Sequence, residues 1–585
     1  MTRFTLSALG LALALLMAAC GPPAHIDSPA QPAASAGSPA DAEFSKQAEA
    51  YYWAHFDFRP SEAVELGWHK YDGKLPDRSP GAIAAEILRL HAARTWLDKI
   101  DPAQLTHEHA LEREVLLYLT RNERFVLEEL DAPHKNPASY MGAISPAPYI
   151  VRDYAPVAER ARAVIGECQA LPAYLAQARS NVAKSVPRTW LELAILQAHG
   201  TATFMNDDVR GALAGKLGDA ALDKQLGAAL DGAVAALKEH VSYLEGLRPA
   251  ANDAFALGEA RLLDMLAETQ GVRIDLATLE KIAWADLERN SRAMEEAAHA
   301  IDARKPVRDV VLAAAEEGKP AADGVLPLAT TQARELRQFL IDHKIVTIPS
   351  NDVAEVRESP PFQRWNAAFL DGAGVFDKDG LPSYYYISPP DPKWPLAEQR
   401  AYIPPARDLL FVTVHEVWPG HFLHGLHIKK NPSRIMKSFC TYSMSEGWAH
   451  YTEEMMYDAG AAGADPRARI GMLKEALLRN VRFVVAIGEH AHGMTVEQAT
   501  KLFQDKAFAD PGNARQQAVR GTFDPMFLSY TVGKLMITKL REDWKARQGA
   551  AYTLGGFHDA FLGFACAPIP LIRAELLGRD AGSAL

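Results

Sequence analysis

Three side chains that could bind and use a metal ion lie close together in the sequence. His415 and Glu416 are adjacent, and His421 follows six residues after His415. Neutral imidazoles are common zinc ligands, and a carboxylate beside a ligand can act as a general base toward water. The segment therefore predicts a metal site with a base next to it.

The spacing of the two histidines is unusual for such a site. In a His-Glu-x-x-His motif the two ligands lie four residues apart, about one helical turn. On an undistorted helix of about 100° per residue, a spacing of six residues separates the side chains by roughly 120°. Pro419 and Gly420 lie between the histidines. Because proline interrupts helical hydrogen bonding, we expect a two-residue bulge that returns both histidines to one face. The alternative is that Pro419 and Gly420 end the helix and leave the histidines in a loop.

A glutamate in the next predicted helix completes a set of three ligands. Glu446, in the segment SEGWAHYTEE at 445–454, comes 25 residues after His421. In gluzincin metallopeptidases, which this arrangement resembles, the third zinc ligand is a glutamate at about this separation. Two imidazoles and one carboxylate leave a fourth coordination position for water. We therefore predict one Zn²⁺ per chain, bound by His415, His421 and Glu446.

The two motifs together resemble the bacterial DUF885 family, whose pattern is HExxPGH followed by EGWA. The resemblance extends to 66–77 near the N-terminus, to 384–390 before the metal motif and to 530–533 near the C-terminus. It covers about 45–585 and implies a gluzincin-like zinc hydrolase fold more firmly than any substrate. It also implies a two-lobed helical body with a central cleft, similar to that of oligopeptidases and dipeptidyl carboxypeptidases.

The resemblance suggests catalytic roles around the predicted zinc ion. Glu416 is the predicted general base and later the proton donor. The oxyanion that forms on the substrate needs a second electrophile beside the metal. Tyr530 is one candidate, by analogy with the tyrosines of related peptidases, and His490 is another. The alternative is that Tyr530 is a structural tyrosine in the core or at the surface.

Other side chains could hold a peptide substrate. The predicted strand at 384–387 could bind an extended peptide by edge pairing, with Tyr385 and Tyr386 at the substrate. Arg482 and Arg520 could bind a substrate carboxylate, which would favour carboxypeptidase or dipeptidyl-carboxypeptidase action. Structural ion pairs are the alternative for both arginines.

Polar neighbours of the two motifs have simpler explanations. We expect His424 and His427 to support a ligand or to lie at the surface, and His450 to line the cleft. Glu453 and Glu454 are expected to be solvated, although one of them could accept a hydrogen bond from a ligand histidine.

The elements that position these residues are predicted to be mainly helical. Apolar residues recur at helical spacing over most of 43–342, with helix starts at Ser79-Pro80 and Asp101-Pro102 and a long helix over 219–247. The same pattern returns after Pro405.

Strands are expected only at 345–348 and 384–387, where β-branched or aromatic residues are bounded by proline or glycine. We therefore predict a mainly α fold with a small embedded sheet. The predicted division is an N-terminal helical lobe at 43–342 and a catalytic lobe with the zinc site at 343–585.

The first 42 residues predict an export signal and a tether. Residues 1–20 contain an apolar run too short to span a bilayer and end in Ala-Ala-Cys, which resembles a bacterial lipobox. Cys20 is the predicted lipidation site, and an ordinary secretory signal is the alternative. Residues 21–42 are rich in Pro, Ala and Ser and predict a disordered tether. Because Gly21 rather than aspartate follows the cysteine, we expect anchoring in the outer membrane, facing the periplasm.

Charge and cysteine content exclude other classes of protein. The 585 residues include 62 Lys and Arg and 73 Asp and Glu, for a net charge of −11. A mildly acidic chain without a long basic run is a poor nucleic-acid binder, and no obligate protein partner is evident. Beyond Cys20 the cysteines are Cys168, Cys440 and Cys566, which allow at most one disulfide and require none.

The sequence thus predicts a lipid-anchored zinc peptidase that cleaves short peptides in the bacterial envelope. One alternative is a zinc amidase or esterase that acts on a non-peptide substrate. Another is a non-catalytic envelope binding lipoprotein, although a purely structural metal site would have no use for the base Glu416.

Overall fold

A computed structural model of the protein describes residues 38–364 and 366–585. The predicted signal peptide, Cys20 and nearly all of the predicted tether lie outside the described residues. The described chain is mainly helical, which confirms the predicted fold class. None of its helices is long and apolar enough to cross a membrane.

The helices form one group before the sheet in the chain and a second group after it. Before the sheet they are α1 (Pro39–Phe58), α2 (Pro60–Glu65), α3 (Pro80–Lys99), α4 (His107–Arg124), α5 (Ala132–Lys135), α6 (Pro148–Val151), α7 (Val157–Asn181), α8 (Arg188–Phe204), α9 (Arg210–Leu213), α10 (Ala220–Leu247), α11 (Glu259–Met265), α12 (Leu276–Asp302), α13 (Val307–Glu316) and α14 (Val325–His343). After it they are α15 (Leu396–Tyr402), α16 (Ala406–Glu416), α17 (His421–Lys430), α18 (Arg434–Ser438), α19 (Tyr442–Asp458), α20 (Pro466–Ala491), α21 (Val496–Lys506), α22 (Pro511–Phe523), α23 (Ser529–Gln548), α24 (Leu554–Leu562) and α25 (Ile569–Leu577).

Two of the three helix starts predicted in the N-terminal half are confirmed. The Ser79 hydroxyl caps α3 by accepting a hydrogen bond from a backbone N–H in the first turn, and Asp219 caps α10 in the same way. The start predicted at Asp101-Pro102 is wrong, because those residues begin only a short 3₁₀ turn. Helix α4 starts later, with Thr106 as its cap.

The folded body begins earlier than the predicted tether boundary at residue 42. Helix α1 starts at Pro39, because the Ser38 side chain accepts a hydrogen bond from the Asp41 N–H and proline suits the first turn. The Ser38 hydroxyl also donates to the carbonyl oxygen of Gln104 at 2.7 Å. This contact joins the start of the body to the turn before α4.

A three-stranded sheet lies between α14 and α15 in the chain. Its strands are β1 (Ala354–Glu358), β2 (Ala368–Asp371) and β3 (Ser383–Ile387), in the order β1-β3-β2. Strand β3 runs parallel to β1 and antiparallel to β2. The strand predicted at 384–387 is confirmed. Because β3 is central and paired on both edges, the prediction that it binds an extended peptide at a free edge is wrong.

The strand predicted at 345–348 is also wrong. The Ile345 carbonyl oxygen lies 2.7 Å from Nδ1 of His558. The Thr347 N–H and hydroxyl donate to the Asp559 carboxylate at 2.8 and 2.6 Å. Side chains of α24 therefore satisfy the backbone here, and no neighbouring strand is needed to do so.

The helices that carry the metal motifs are packed closely together. Helix α16 contacts α19, α20 and β2. Helices α19 and α23 cross at two glycines: a Cβ on Gly447 would lie 2.5 Å from the Cα of Gly533. Helix α12 packs along α20, so contacts cross the predicted boundary at 342/343. The division into two lobes stays a prediction.

One disulfide links two segments that flank these helices. Cys440 and Cys566 are bonded, and Cys168 is free and buried. The bond joins the residues just before α19 to those just before α25.

Candidate metal centre

The three predicted metal ligands meet at one point. Nε2 of His415 and Nε2 of His421 each lie 3.4 Å from Oε2 of Glu446. The two imidazole rings are 4.8 Å apart and nearly perpendicular. His415 is buried, and the side chains of His421 and Glu446 remain about one-fifth exposed, so the cluster is reached from solvent on one side.

A break between two helices brings the histidines together, and the expected bulge within one helix is wrong. Helix α16 ends at Glu416 and α17 begins at His421. Between them the Gly420 N–H donates to the carbonyl oxygen of Val414 at 3.0 Å. A Cβ on Gly420 would overlap the His415 carbonyl oxygen, so only glycine fits this close approach.

The spacing of the donor atoms fits a zinc ion. Zinc bonds of about 2.0–2.2 Å in a tetrahedral arrangement place neighbouring ligand atoms roughly 3.3 Å apart. The observed N–O separations are 3.4 Å, and all three donor atoms lie within 4.8 Å of one another. Oε2 of Glu446 is buried and accepts no hydrogen bond in the described part of the chain. The donor set and its geometry therefore suit a metal that needs three protein ligands.

Glu453 orients the predicted ligand His415. Its Oε1 lies 2.7 Å from Nδ1 of His415, and its Oε2 lies 3.1 Å from Nδ1 of His450. Glu453 is 1% exposed, so the expectation of a solvated side chain is wrong. The alternative is confirmed in that Glu453 is hydrogen-bonded to His415, a predicted ligand. The signal in the sequence was its spacing, because seven residues after Glu446 is the same face of α19.

Glu454 is not solvated either. Its carboxylate is paired with Arg289 of α12 at 2.6 Å and with the buried ammonium of Lys534 in α23. Glu453 and Glu454 thus bind groups on different sides of α19. Glu453 supports the His-His-Glu cluster, and Glu454 ties α12, α19 and α23 together.

The predicted base Glu416 lies at the cluster and is held by the sheet. It is 9% exposed, and its Oε2 accepts a hydrogen bond of 2.9 Å from the Leu370 N–H of β2. Burial, with the nearby Glu446 carboxylate, raises the pKa of Glu416, while the two histidines and the Leu370 N–H oppose the rise. A raised pKa suits a carboxylate that must take up a proton.

The cluster attracts positive charge. Burial would lower the pKa of His415, yet the nearby carboxylates of Glu446 and Glu453 raise it to about 10. Burial would likewise raise the pKa of Glu446, but the two histidines hold it well below its usual range. The same negative potential favours a divalent cation.

Tyr530 lies beside the predicted ligands. Its ring stacks on that of His415 at 6.4 Å and meets the ring of Tyr442 edge-on at 5.7 Å. Tyr530 is 8% exposed, and its hydroxyl forms no hydrogen bond to any described residue. Tyr442, in contrast, accepts a hydrogen bond from Arg520 at 2.9 Å.

The structure does not support His490 as a second electrophile. Its Nε2 lies 2.9 Å from the carbonyl oxygen of Gly521, and its Nδ1 lies 3.3 Å from the Leu257 N–H. His490 is 1% exposed, and both ring nitrogens are used by the backbone. It joins α20 to the loop before α11.

Tyr385 and Tyr386 are buried, which argues against the predicted contacts of these side chains with a substrate. Tyr385 is fully buried, and its hydroxyl lies 3.2 Å from that of Thr413. Tyr386 is 5% exposed and packs against Phe369 of β2. Both side chains support the sheet, and neither offers a free surface to a peptide.

The two predicted arginines differ in their partners. Arg520 is paired with Asp524 at 2.8 Å and donates to Tyr442. Arg482 donates from Nε to Gln517 at 2.9 Å and has no carboxylate partner in the described chain. Asp524 lies four residues after Arg520, a spacing that predicts such a pair on a helix.

The remaining histidines of α17 lie outside the cluster. Nε2 of His424 is 3.0 Å from the carbonyl oxygen of Ala565, and Nε2 of His427 is 2.9 Å from that of Thr347. Both contacts fasten α17 to neighbouring segments, so these histidines have structural roles.

The described fold and cluster define a mainly α protein with a His-His-Glu site beside a small sheet. The chain belongs to the family described as "Bacterial protein of unknown function (DUF885)", which matches residues 60–576. No curated protein matches it.

Two solved structures are similar to this chain over most of its length. One is a candidate lipoprotein of unknown function from Shewanella oneidensis, with a TM-score of 0.76 and 25% identity over 91% of this chain and 99% of that one. The other is a candidate lipoprotein from Colwellia psychrerythraea, with a TM-score of 0.75 and 18% identity over 92% of this chain and 98% of that one. The second likeness shows the fold alone.

Proposed function

We propose that this protein is a zinc-dependent hydrolase that cleaves peptide bonds in short peptides. The observation that carries the proposal is the position of Glu446 Oε2, 3.4 Å from both His415 Nε2 and His421 Nε2. Glu416 lies next to this cluster in a buried position, where a base is needed and a structural metal site has no use for one.

The residues around the cluster supply the remaining chemistry. A zinc ion held by His415, His421 and Glu446 would act as a Lewis acid that polarises the scissile carbonyl and makes water a nucleophile at neutral pH. Glu416 takes the proton of the attacking water and passes it to the leaving amine. The free hydroxyl of Tyr530 donates a hydrogen bond to the oxyanion.

Strand β2 supports a peptide as the substrate. It is an outer strand of the sheet, and its Leu370 N–H points to Glu416 instead of to β3. An extended peptide that pairs with this edge would pass directly by the base, with affinity from main-chain hydrogen bonds. This role replaces the edge pairing predicted for 384–387.

Carboxypeptidase or dipeptidyl-carboxypeptidase action is the form of hydrolysis that we favour. It is supported by Arg482, whose guanidinium lies 4.9 Å from the ring centre of Tyr530, because a cationic group near the cluster would select peptides with a free C-terminus.

Metal analysis and peptide hydrolysis test the proposal together. We expect about one zinc per chain, lost in His415→Ala and Glu446→Ala, and cleavage of short peptides that Glu416→Ala abolishes while zinc remains bound. Zinc retained without cleavage of any peptide, ester or amide in a broad panel would favour a binding protein. Cleavage of non-peptide amides or esters alone would favour a zinc amidase or esterase. A wild-type protein without metal would overturn the mechanism.

We also propose that the protein is lipid-anchored at the envelope through Cys20, with the outer membrane as its destination. The Ala-Ala-Cys sequence at 18–20 supports this, as does the description of both similar structures as candidate lipoproteins. Radiolabelled palmitate should be incorporated into the wild type and absent from Cys20→Ser.

A further inference from the structure

Arg482 is a buried cation, and the part of the chain that the structure describes provides no counter-ion for it. It is 7% exposed, and its hydrogen bond from Nε goes to the neutral side chain of Gln517 at 2.9 Å. No carboxylate among the described residues is paired with it. Leaving a buried charge unpaired is costly, so such an arginine indicates a missing anionic partner.

The two neighbouring arginines have carboxylate partners, so the lack of one is particular to Arg482. Arg479, one helical turn earlier in α20, is paired with Glu453 at 3.5 Å and also with Glu475. Arg520 is paired with Asp524 at 2.8 Å. Both neighbours already have carboxylate partners, so none of these three acids is free to neutralise Arg482. Burial and the charge of Arg520 lower the pKa of Arg482, which reflects the same lack of an anion.

The ring of Tyr530 lies close to both Arg482 and the candidate metal centre. Its guanidinium carbon lies 4.9 Å from the ring centre of Tyr530, and that ring lies 6.4 Å from the ring of His415. An extended peptide advances about 3.4 Å per residue. These two separations place the guanidinium at most about 11 Å from the His415 ring. Two extended residues, together with the hydrogen bond from their terminal carboxylate to the guanidinium, cover about that distance.

We propose that Arg482 binds the free C-terminal carboxylate of the substrate, an inference that rests on the proposed peptidase function. With Nε held by Gln517, Nη1 and Nη2 can donate two parallel hydrogen bonds to one carboxylate. Arg520 does not share this role, because it remains with Asp524 and orients Tyr442. The substrates are then short peptides with an unblocked C-terminus, from which one or two residues are released.

Matched peptides that end in a carboxylate or in an amide test this assignment. We expect the wild type to cleave the acid with a kcat/KM roughly a hundredfold above that of the amide. Arg482→Gln should remove this preference by slowing cleavage of the acid, with zinc retained, and Arg482→Lys should restore part of it. Arg469→Gln is the control, since Arg469 lies on the same helix and is paired with Glu296 at the surface. Equal cleavage of acid and amide by the wild type, or a preference that survives in zinc-loaded Arg482→Gln, would overturn the assignment.

A binding measurement separates this inference from the proposed function. Calorimetry on zinc-loaded Glu416→Gln should show tighter binding of the acid than of the amide, and adding Arg482→Gln should remove the difference. Equal binding of the two peptides refutes the carboxylate site. If the wild type binds the acid selectively but cleaves no peptide, the carboxylate site is supported and only the proposed hydrolase function is refuted.

Discussion

Oε1 of Glu453 lies 2.7 Å from Nδ1 of His415, and both side chains are buried. Burial opposes ionisation of Glu453, but Arg479 and His450 hold its pKa well below the usual range. The imidazole of His415 therefore has a charged acceptor on one nitrogen, which leaves Nε2 directed at Glu446. Such a partner fixes the ring and makes the ligand nitrogen more basic.

Removing this acceptor should weaken metal binding. We expect Glu453→Gln to lower zinc affinity 10- to 100-fold, the usual effect of losing a carboxylate that orients a ligand histidine. Competition with a zinc chelator measures the change. Glu454→Gln is the matched control, because it removes the same charge one residue later but acts on Arg289 and Lys534. Equal losses of zinc affinity in the two variants would contradict the assigned role of Glu453.

The junction between α16 and α17 should tolerate no side chain at residue 420. A Cβ there would overlap the His415 carbonyl oxygen, so Gly420→Ala must move one of the two helices. We expect a loss of roughly 3 kcal/mol in the free energy of unfolding, together with weaker zinc binding. Gly425→Ala, in α17 with open space around it, should be neutral or stabilising by up to about 1 kcal/mol. Urea titration of both variants decides this, and a Gly420→Ala protein as stable as Gly425→Ala would contradict the packing.

The sequence was sufficient to predict the cluster, because ligand chemistry restricts residue types and spacing. His415, His421 and Glu446 meet as expected. The helix junction was not predicted, since a bulge and a break both bring the histidines together and the choice depends on packing around Gly420. Strand β2 was missed because four half-buried residues carry no clear alternation, and its contact with Glu416 is tertiary.

The spacing of acidic residues already distinguishes the two arginines in the sequence. Arg520 has an acidic residue four positions later, whereas neither position three nor four from Arg482 in either direction is acidic. That difference favours a structural ion pair for Arg520 and an unpaired cation for Arg482. The sequence could not show whether a carboxylate distant in the chain pairs with Arg482. The structure shows that none of the described residues does so.

The disulfide should stabilise the helix that carries Glu446. Cys440 directly precedes Thr441, whose hydroxyl caps α19, and Cys566 is 126 residues away in the chain. Closing so long a loop restricts the unfolded chain, so we expect Cys440→Ser to lower the free energy of unfolding by about 2–5 kcal/mol. Urea unfolding under oxidising conditions measures the loss, and a reductant should lower the wild type to the level of the variant. A variant as stable as the oxidised wild type would show that the bond contributes nothing.

A histidine in the N-terminal segment 66–77 should make stability depend on pH. His69 is held between two carboxylates, with Nε2 2.9 Å from Asp377 and Nδ1 3.1 Å from Asp72, and its ring stacks on Tyr154. Burial would lower the pKa of His69, but the hydrogen bonds to the two carboxylates raise it to about 9. These contacts fasten the segment after β2 to the N-terminal helices. They therefore help to hold the strand that contacts Glu416.

The sign of the pH effect follows from the raised pKa. The pKa of an unfolded histidine is about 6.5, so the pair contributes fully below that pH, and its contribution is lost as the pH rises through about 9. After allowing for solvent screening, we expect His69→Asn to cost about 1–2 kcal/mol at pH 6 and close to nothing at pH 10. Denaturant unfolding at pH 6, 8 and 10 measures this difference. His91→Asn, which removes a more exposed pair with Glu128, should cost under about 1 kcal/mol at each pH. A cost of His69→Asn that stays constant from pH 6 to 10 would show that packing on Tyr154, and not the charge, is what His69 contributes.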